Sequence, residues 1–228
     1  MLYNKHEELL KKFHLKEELE IYKHKYDFYK TGIFPKIIAK TLFGTVDLIY
    51  GKNPTIQKFK VIEVVARVPY QTWEFVNYLW TTNFYTNENK AIKYAKRSDF
   101  GKYAQDNETM HVVVISQICK DEKLGNFLGH TFLPIILAYI YFLISTILYI
   151  FSPKSSYELN YLFENHAYNQ YDLLIKKNKN KLKKKKIHSK FLKFYGREYK
   201  NQLEFFESVK NDEIIHRNSS IEEINIHF

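Results

Sequence analysis

Two Glu-x-x-His pairs, Glu108/His111 in "NETMH" and Glu213/His216 in "DEIIH", constrain this chain more than any other feature, because further glutamates are interleaved with them in a fixed order. On a helix, residues three apart share a face, so a carboxylate and an imidazole at that spacing can close on one ion. Taken singly, such a pair reads as a surface contact: with 18 Glu and 9 His in 228 residues, chance supplies roughly 0.7 of them. The order adds what the spacing lacks. Glu63, embedded in the apolar "VIEVVARV", precedes the first pair, and Glu164 in "YLFENHAY" falls between the two pairs.

The resulting string is Glu, Glu-x-x-His, Glu, Glu-x-x-His, one element per predicted helix. Di-iron and di-manganese carboxylate four-helix bundles carry their ligands in this arrangement. The residue types suit that chemistry. Four carboxylates cancel the four positive charges of two ferrous ions, which makes a buried cluster tolerable, and two imidazoles add ligands that iron accepts. Spacing leaves the first ligand open between Glu63 and Glu74. These lie about three helical turns apart, so they share a face but stand about 16 Å from each other along the axis, and only one can reach the cluster.

Composition agrees with a single, all-α domain. Apolar residues make up 45% and charged residues 26%, as in ordinary globular proteins, while only 7 Gly and 5 Pro favour long helices over a many-turned β fold. The single cysteine, Cys119, excludes a disulfide framework and any multi-cysteine metal site, so metal chemistry here must use carboxylates and histidines. Helices are predicted over 54–82 with a kink at Pro69, over 87–123, over 155–178 and over 201–224. Residues 1–30 read as an exposed helical arm, too acidic for a transit peptide and without the apolar core of a secretion signal. The remainder, 31–228, forms the main domain.

Much of the net charge of +10 sits in "KKNKNKLKKKK", Lys176–Lys186. Such a run reads as a solvated loop, or as an attraction to anionic lipid. Nucleic acid is not expected as a partner, because no arginine-and-aromatic patterning accompanies the lysines.

From Gly125 to Pro153 the chain carries no charged residue, and Phe132–Phe151 is long enough for a hydrocarbon core of about 30 Å. The ligand order argues against a crossing. A single pass would deliver Glu164 to the side of the membrane opposite Glu108 and His111, and one cluster needs all three together. This segment, 127–152, and the amphipathic 33–52 are therefore predicted to lie in one leaflet. His166 and His130 read as ordinary polar contacts, and Trp73 and Trp80 as packing residues.

Four stretches in order resemble the alternative oxidases, and within them the plastid terminal branch. "IEVVARVP" resembles the first ligand motif, with the glutamate five residues before Val-Pro, which selects Glu63 over Glu74. "NETMH" resembles the second and brings in Asn107. "SPKSSYELNYLFENHAYNQYD" is similar to the third, with Glu164 followed seven residues later by Tyr171. "DEIIH" resembles the last, with Asp212 beside Glu213. The similarity runs from about Leu42 to Ile221. Tyr157 stands where mitochondrial members carry histidine, which points to the plastid type, although the lysine run lacks that branch's longer insertion. No regulatory cysteine region or transit peptide of the mitochondrial kind is seen, so neither control by organic acids nor import into an organelle is expected.

The resemblance implies a ferritin-like di-iron four-helix bundle acting as a quinol:oxygen oxidoreductase. Electrons would pass from plastoquinol or ubiquinol to oxygen, giving water without proton pumping. Two iron ions would be held by Glu63, Glu108, His111, Glu164, Glu213 and His216. Tyr171 would be the redox-active tyrosine, with Asn107 and Asp212 as catalytic neighbours of the ligands. Ile62, Ala66, Phe163 and Ala167 would line the quinol pocket. Expected partners are the quinol, oxygen, the lipid bilayer and a second copy in a homodimer, at a thylakoid-like or bacterial inner membrane. Two rival functions are a quinone-ring hydroxylase with the same ligands and a non-catalytic basic protein that binds lipid or nucleic acid. Iron storage is disfavoured, because a cage subunit would not expose so long an apolar segment.

Overall fold

Few residues in this sequence interrupt a helix, and the computed structural model, which describes residues 2–228, is built accordingly. The first residue of the expected arm lies outside the described residues. Among these, all regular structure is helical: α1 Leu2–Lys12, α2 Lys16–His24, α3 Ile33–Tyr50, α4 Ile56–Ala66, α5 Val68–Asn83, α6 Glu88–Asp121, a π-helical turn at Leu128–Phe132, α7 Leu133–Phe151, α8 Pro153–Lys184, α9 Lys190–Tyr195 and α10 Gln202–His227. Side-chain caps start several of them. Thr55, Asn87 and Asn201 each accept from the backbone N–H three residues on, which satisfies a donor the helix itself leaves open.

The helix predicted over 54–82 is broken at Arg67 into α4 and α5. Pro69 has no N–H to bond back into the preceding turn, so the run of helical hydrogen bonds is interrupted there. Glu63 is thereby carried on α4, while α5 lies along α6. That contact is close enough to need a glycine: a Cβ at Gly101 would stand 2.8 Å from the carbonyl oxygen of Tyr70. α8 packs lengthwise against α10.

Two large apolar cores, with a smaller cluster beneath the N-terminal arm, fill the bundle. One holds Phe59, Met110, Ile115, Leu174, Phe206 and Val209; the other holds Tyr70, Trp73, Phe100, Tyr157 and Ile221. Along α6, α8 and α10 the predicted ligands fall between these two cores. Each fully buried large apolar side chain contributes about 1.5–3 kcal/mol, and a polar cluster set between two such cores is desolvated without being left to hold the helices together.

α7 runs antiparallel to α8 along the flank of the bundle, with Tyr141 near Phe163 and Tyr149 beside Tyr157. Its inner face buries Pro134, Tyr141, Ser145 and Tyr149, while Tyr139, Leu143, Ile147 and Phe151 are exposed. α3 likewise bares Ile33, Phe34, Ile37 and Leu48. Glu108, His111 and Glu164 all lie in the bundle that α7 flanks.

One expectation is corrected and a second is sharpened. The lysine run is helical as far as Lys184, not a loop. Lysine is a good helix former, its charge suits a helix C-terminus, and Leu182 in the middle of the run is buried in the first core. The N-terminal arm is helical and largely exposed, as expected, yet two of its side chains anchor it on the bundle. Phe13 packs with Tyr168, Ile214 and Ile215, and His6 is buried against the bundle.

Candidate metal centre

Each predicted ligand comes from a helix interior. Glu63 is on α4, Glu108 and His111 on α6, Glu164 on α8, and Glu213 and His216 on α10; all six are at most 1% exposed. Their donor atoms form two groups, Glu63, Glu108, His111 and Glu213, and Glu108, Glu164, Glu213 and His216, with the atoms of each group within 4.8 Å of one another. Glu108 and Glu213 belong to both. Glu74 is only half-buried and belongs to neither.

The donor set fits a cation. Glu63 Oε2, both oxygens of Glu108, Glu213 Oε1, His111 Nδ1 and His216 Nδ1 are buried without a hydrogen-bond partner. Buried polar atoms are rarely left so, because each one costs about 1–3 kcal/mol. His111 Nδ1 stands 3.4 Å from Glu63 Oε2, from Glu108 Oε2 and from Glu213 Oε1. That is long for a hydrogen bond. It is close to the separation of roughly 3.0–3.5 Å expected between donors that share one ion through bonds of about 2.1 Å. His216 Nδ1 lies 2.8 Å from Glu108 Oε1, again without hydrogen-bond geometry.

A second layer fixes these donors. His111 Nε2 donates to Asp212 Oδ2 at 3.0 Å, which leaves Nδ1 as the ring nitrogen facing the carboxylates, free to offer its lone pair to a cation. Arg197 holds Asp212 with a fork, Nη1 to Oδ2 at 2.6 Å and Nη2 to Oδ1 at 3.1 Å, and His6 Nε2 donates to Oδ1 at 2.5 Å. Burial alone would push the Asp212 carboxyl up; Arg197, His111 and His6 hold it well below the usual carboxylate range. Tyr171 donates to Glu63 Oε1 and stacks on Phe59 with centroids 3.9 Å apart. Tyr70 donates to Glu164 Oε1 at 2.6 Å and accepts from Asn160 at 2.8 Å. Burial, then the neighbouring carboxylates, raises both phenols, so both remain neutral donors.

Titration within the cluster shows what charge it wants. Burial, and next Glu108, pushes Glu63 up to about 8. Burial also raises Glu164, and Glu213 well above its ordinary value. Glu108 goes the other way: His111 and His216 outweigh its desolvation. His111 is raised well above its usual value, because Glu108 and Asp212 overcome its own burial. Four carboxylates this close cannot all ionise without added positive charge, and protons fill that role when no cation does.

Beside the cluster, between α3 and α7 and floored by α4 and α8, lies an apolar cavity of about 170 Å³. Ile62, Ala66, Phe163 and Ala167 all line it, and Ile62 and Phe163 immediately precede Glu63 and Glu164 in the chain. Its polar groups include Lys58, which donates to Asp47 at 2.6 Å, and Tyr141, whose buried hydroxyl has no partner. His166 also lines the cavity and stacks on Phe43 at 4.0 Å, where a polar contact was expected.

Asn107 is buried beside Tyr195. His130 sits against Tyr50, and Trp73 is fully buried with its indole N–H on Ser156. Sequence reasoning missed Tyr70, His6 and Arg197. For Tyr70 a signal exists: it follows Glu63 by seven residues, as Tyr171 follows Glu164.

Comparison with known proteins bears on the same stretch of chain. The profile of the family described as "Alternative oxidase" matches residues 19–224. The chain is 29% identical over 162 residues to "Ubiquinol oxidase 4, chloroplastic/chromoplastic" of Arabidopsis thaliana, an alignment that covers 69% of this chain. It spans 42% of that relative's own length. No solved structure matches.

Proposed function

The chain belongs to the alternative oxidase family, and from that premise we propose that it oxidises a membrane quinol at a centre of two iron ions and passes the electrons to oxygen, forming water without pumping protons. The observation that carries this is the sharing of Glu108 and Glu213 between two donor groups, since a single ion would need neither the second group nor a bridging carboxylate. Glu63 and His111 would complete one position, Glu164 and His216 the other. When bound, the irons supply the one-electron steps and the affinity for oxygen that side chains lack.

The chain's own residues do the rest. The cavity excludes water with apolar walls and brings a quinol ring up to Ile62 and Phe163, one residue from each unshared glutamate. Asp212 holds His111 in the tautomer that a metal requires. Tyr171 donates to Glu63 Oε1 and so holds its phenolic proton at that atom. The exposed apolar faces of α3 and α7 seat the protein in one leaflet, of a thylakoid-like or bacterial inner membrane, so that a lipid-soluble donor enters sideways. The printed name of the plant relative, a ubiquinol oxidase, supports a quinol as that donor.

Oxygen uptake by the iron-loaded protein in vesicles, with ubiquinol and with plastoquinol, tests the proposal. Uptake that resists cyanide, stops on iron removal and returns all its oxygen as water is expected. No uptake with either donor in iron-replete protein overturns it, and labelled oxygen recovered in the quinone ring would favour the hydroxylase.

A further inference from the structure

We infer that His6 is a positioning residue for the metal centre: through Asp212 it fixes His111, so the docking of α1 sets one metal position of the two and not the other. This rests on the two-metal centre proposed above.

An imidazole only 2% exposed is unexpected on a helix this polar, at the start of the chain. His6 and Phe13 are seven residues apart, two turns of one helix face, and they are the two buried anchors of the segment. Phe13 meets an apolar cluster. His6 meets the second layer of the metal centre: Nε2 donates to Asp212 Oδ1 at 2.5 Å, and the ring lies edge-on to Tyr103 at 5.1 Å. The next residue acts on the same carboxylate by another route. Glu7 accepts from Arg197 Nε at 3.2 Å and Nη2 at 2.7 Å, and Arg197 grips Asp212.

Asp212 then has four donors for about four acceptor sites. Oδ2 receives His111 and the short arm of Arg197, whereas Oδ1 receives His6 and only the long arm, at 3.1 Å. Without His6, Oδ1 keeps that one weak bond, and the carboxylate can turn about the Oδ2 contact that orients His111. His111 donates to only one of the two groups. His216, in the other, has no bond to Asp212 and meets His6 only ring to ring, at 5.5 Å between centroids, a contact that a phenyl group at position 6 would keep. Losing the outer partner of a metal-bound histidine typically costs about 10–100-fold in metal affinity, and here the loss should fall on one ion alone.

The full chain, stripped of metal, is titrated with Co²⁺ and followed by its visible absorption and by calorimetry. The unaltered protein should take up two equivalents. In His6→Phe, which keeps the packing but not the donor, one equivalent should keep its affinity while the other weakens about 10–100-fold. His6→Gln, whose amide can place an N–H near the position of Nε2, should restore most of the loss. His6→Ala serves as a second test should the phenyl ring disturb folding, and hydrogen exchange in α1 reports whether the helix stays docked. Two unchanged equivalents in His6→Phe and His6→Ala would overturn the inference alone. So would equal weakening of both ions together with undocking of α1. An unaltered protein that binds no cobalt would overturn the two-metal centre as well.

Discussion

Tyr70 donates its hydroxyl proton to Glu164 at 2.6 Å. The partnership is reciprocal across the bundle: Tyr70 follows Glu63 by seven residues and bonds Glu164, while Tyr171 follows Glu164 by seven and bonds Glu63. Each donor group thus has one unshared glutamate, held by a phenol from the helix stretch that carries the other.

Tyr70→Phe should therefore cost stability as well as function. It strips a buried carboxylate oxygen of its donor and leaves Asn160 with Ser220 as its one remaining acceptor, a loss of about 1–3 kcal/mol. Chemical denaturation of the metal-free protein measures it, and Tyr171→Phe should fall in the same range. Unchanged midpoints in both variants would show that these bonds do not hold the carboxylates.

The shared carboxylates should be distinguishable from the unshared by counting ions. Glu108→Gln and Glu213→Gln each remove a ligand from both groups and should abolish stoichiometric iron. Glu63→Gln should leave one ion. Metal analysis after gel filtration decides, and two ions retained in Glu108→Gln would exclude its bridging role.

Without metal, the protein should lose stability as pH rises from about 6.5 to about 8. Glu63 stays protonated in the folded state up to about 8 but ionises near 4.5 when unfolded, so the native state binds more protons across this window and folding is disfavoured as they leave. Glu213 and Glu164, raised likewise, act in the same direction. His111, raised from 6.5, adds a stabilisation that also fades with rising pH. Iron should remove the slope by replacing the protons, and its affinity should increase toward pH 8. Melting temperatures with and without iron at pH 6.5, 7.2 and 8.0 test both signs.

Charge on the outer face of α7 should release the protein from lipid. Leu143→Lys with Ile147→Lys replaces two exposed apolar side chains, each worth about 1.5–3 kcal/mol when buried in acyl chains. Vesicle flotation should fall at least about tenfold with iron content unchanged. Retention on vesicles would place the contact elsewhere.

The ligand order and the helix break before Pro69 were legible because both are local: a spacing within one helix, or a missing N–H. So was the meeting of Glu164 with Glu108 across the long apolar stretch between them. The lysine run misled because charge density usually marks a loop, and the single apolar anchor Leu182 is outnumbered by its neighbours. His6 and Arg197 left no such trace. They reach Asp212 from 206 and 15 residues away, one across the whole chain and one from the turn after Gly196, and no periodicity links either to its target.

Gly101 has no functional group, yet the chemistry leans on it. A single methyl there would meet the backbone of Tyr70 and lever α5 away from α6, and the phenol that steadies Glu164 would move with it. Vulnerability in this chain thus extends to an inert seam, where the smallest possible enlargement would reach the buried carboxylate cluster by leverage instead of contact.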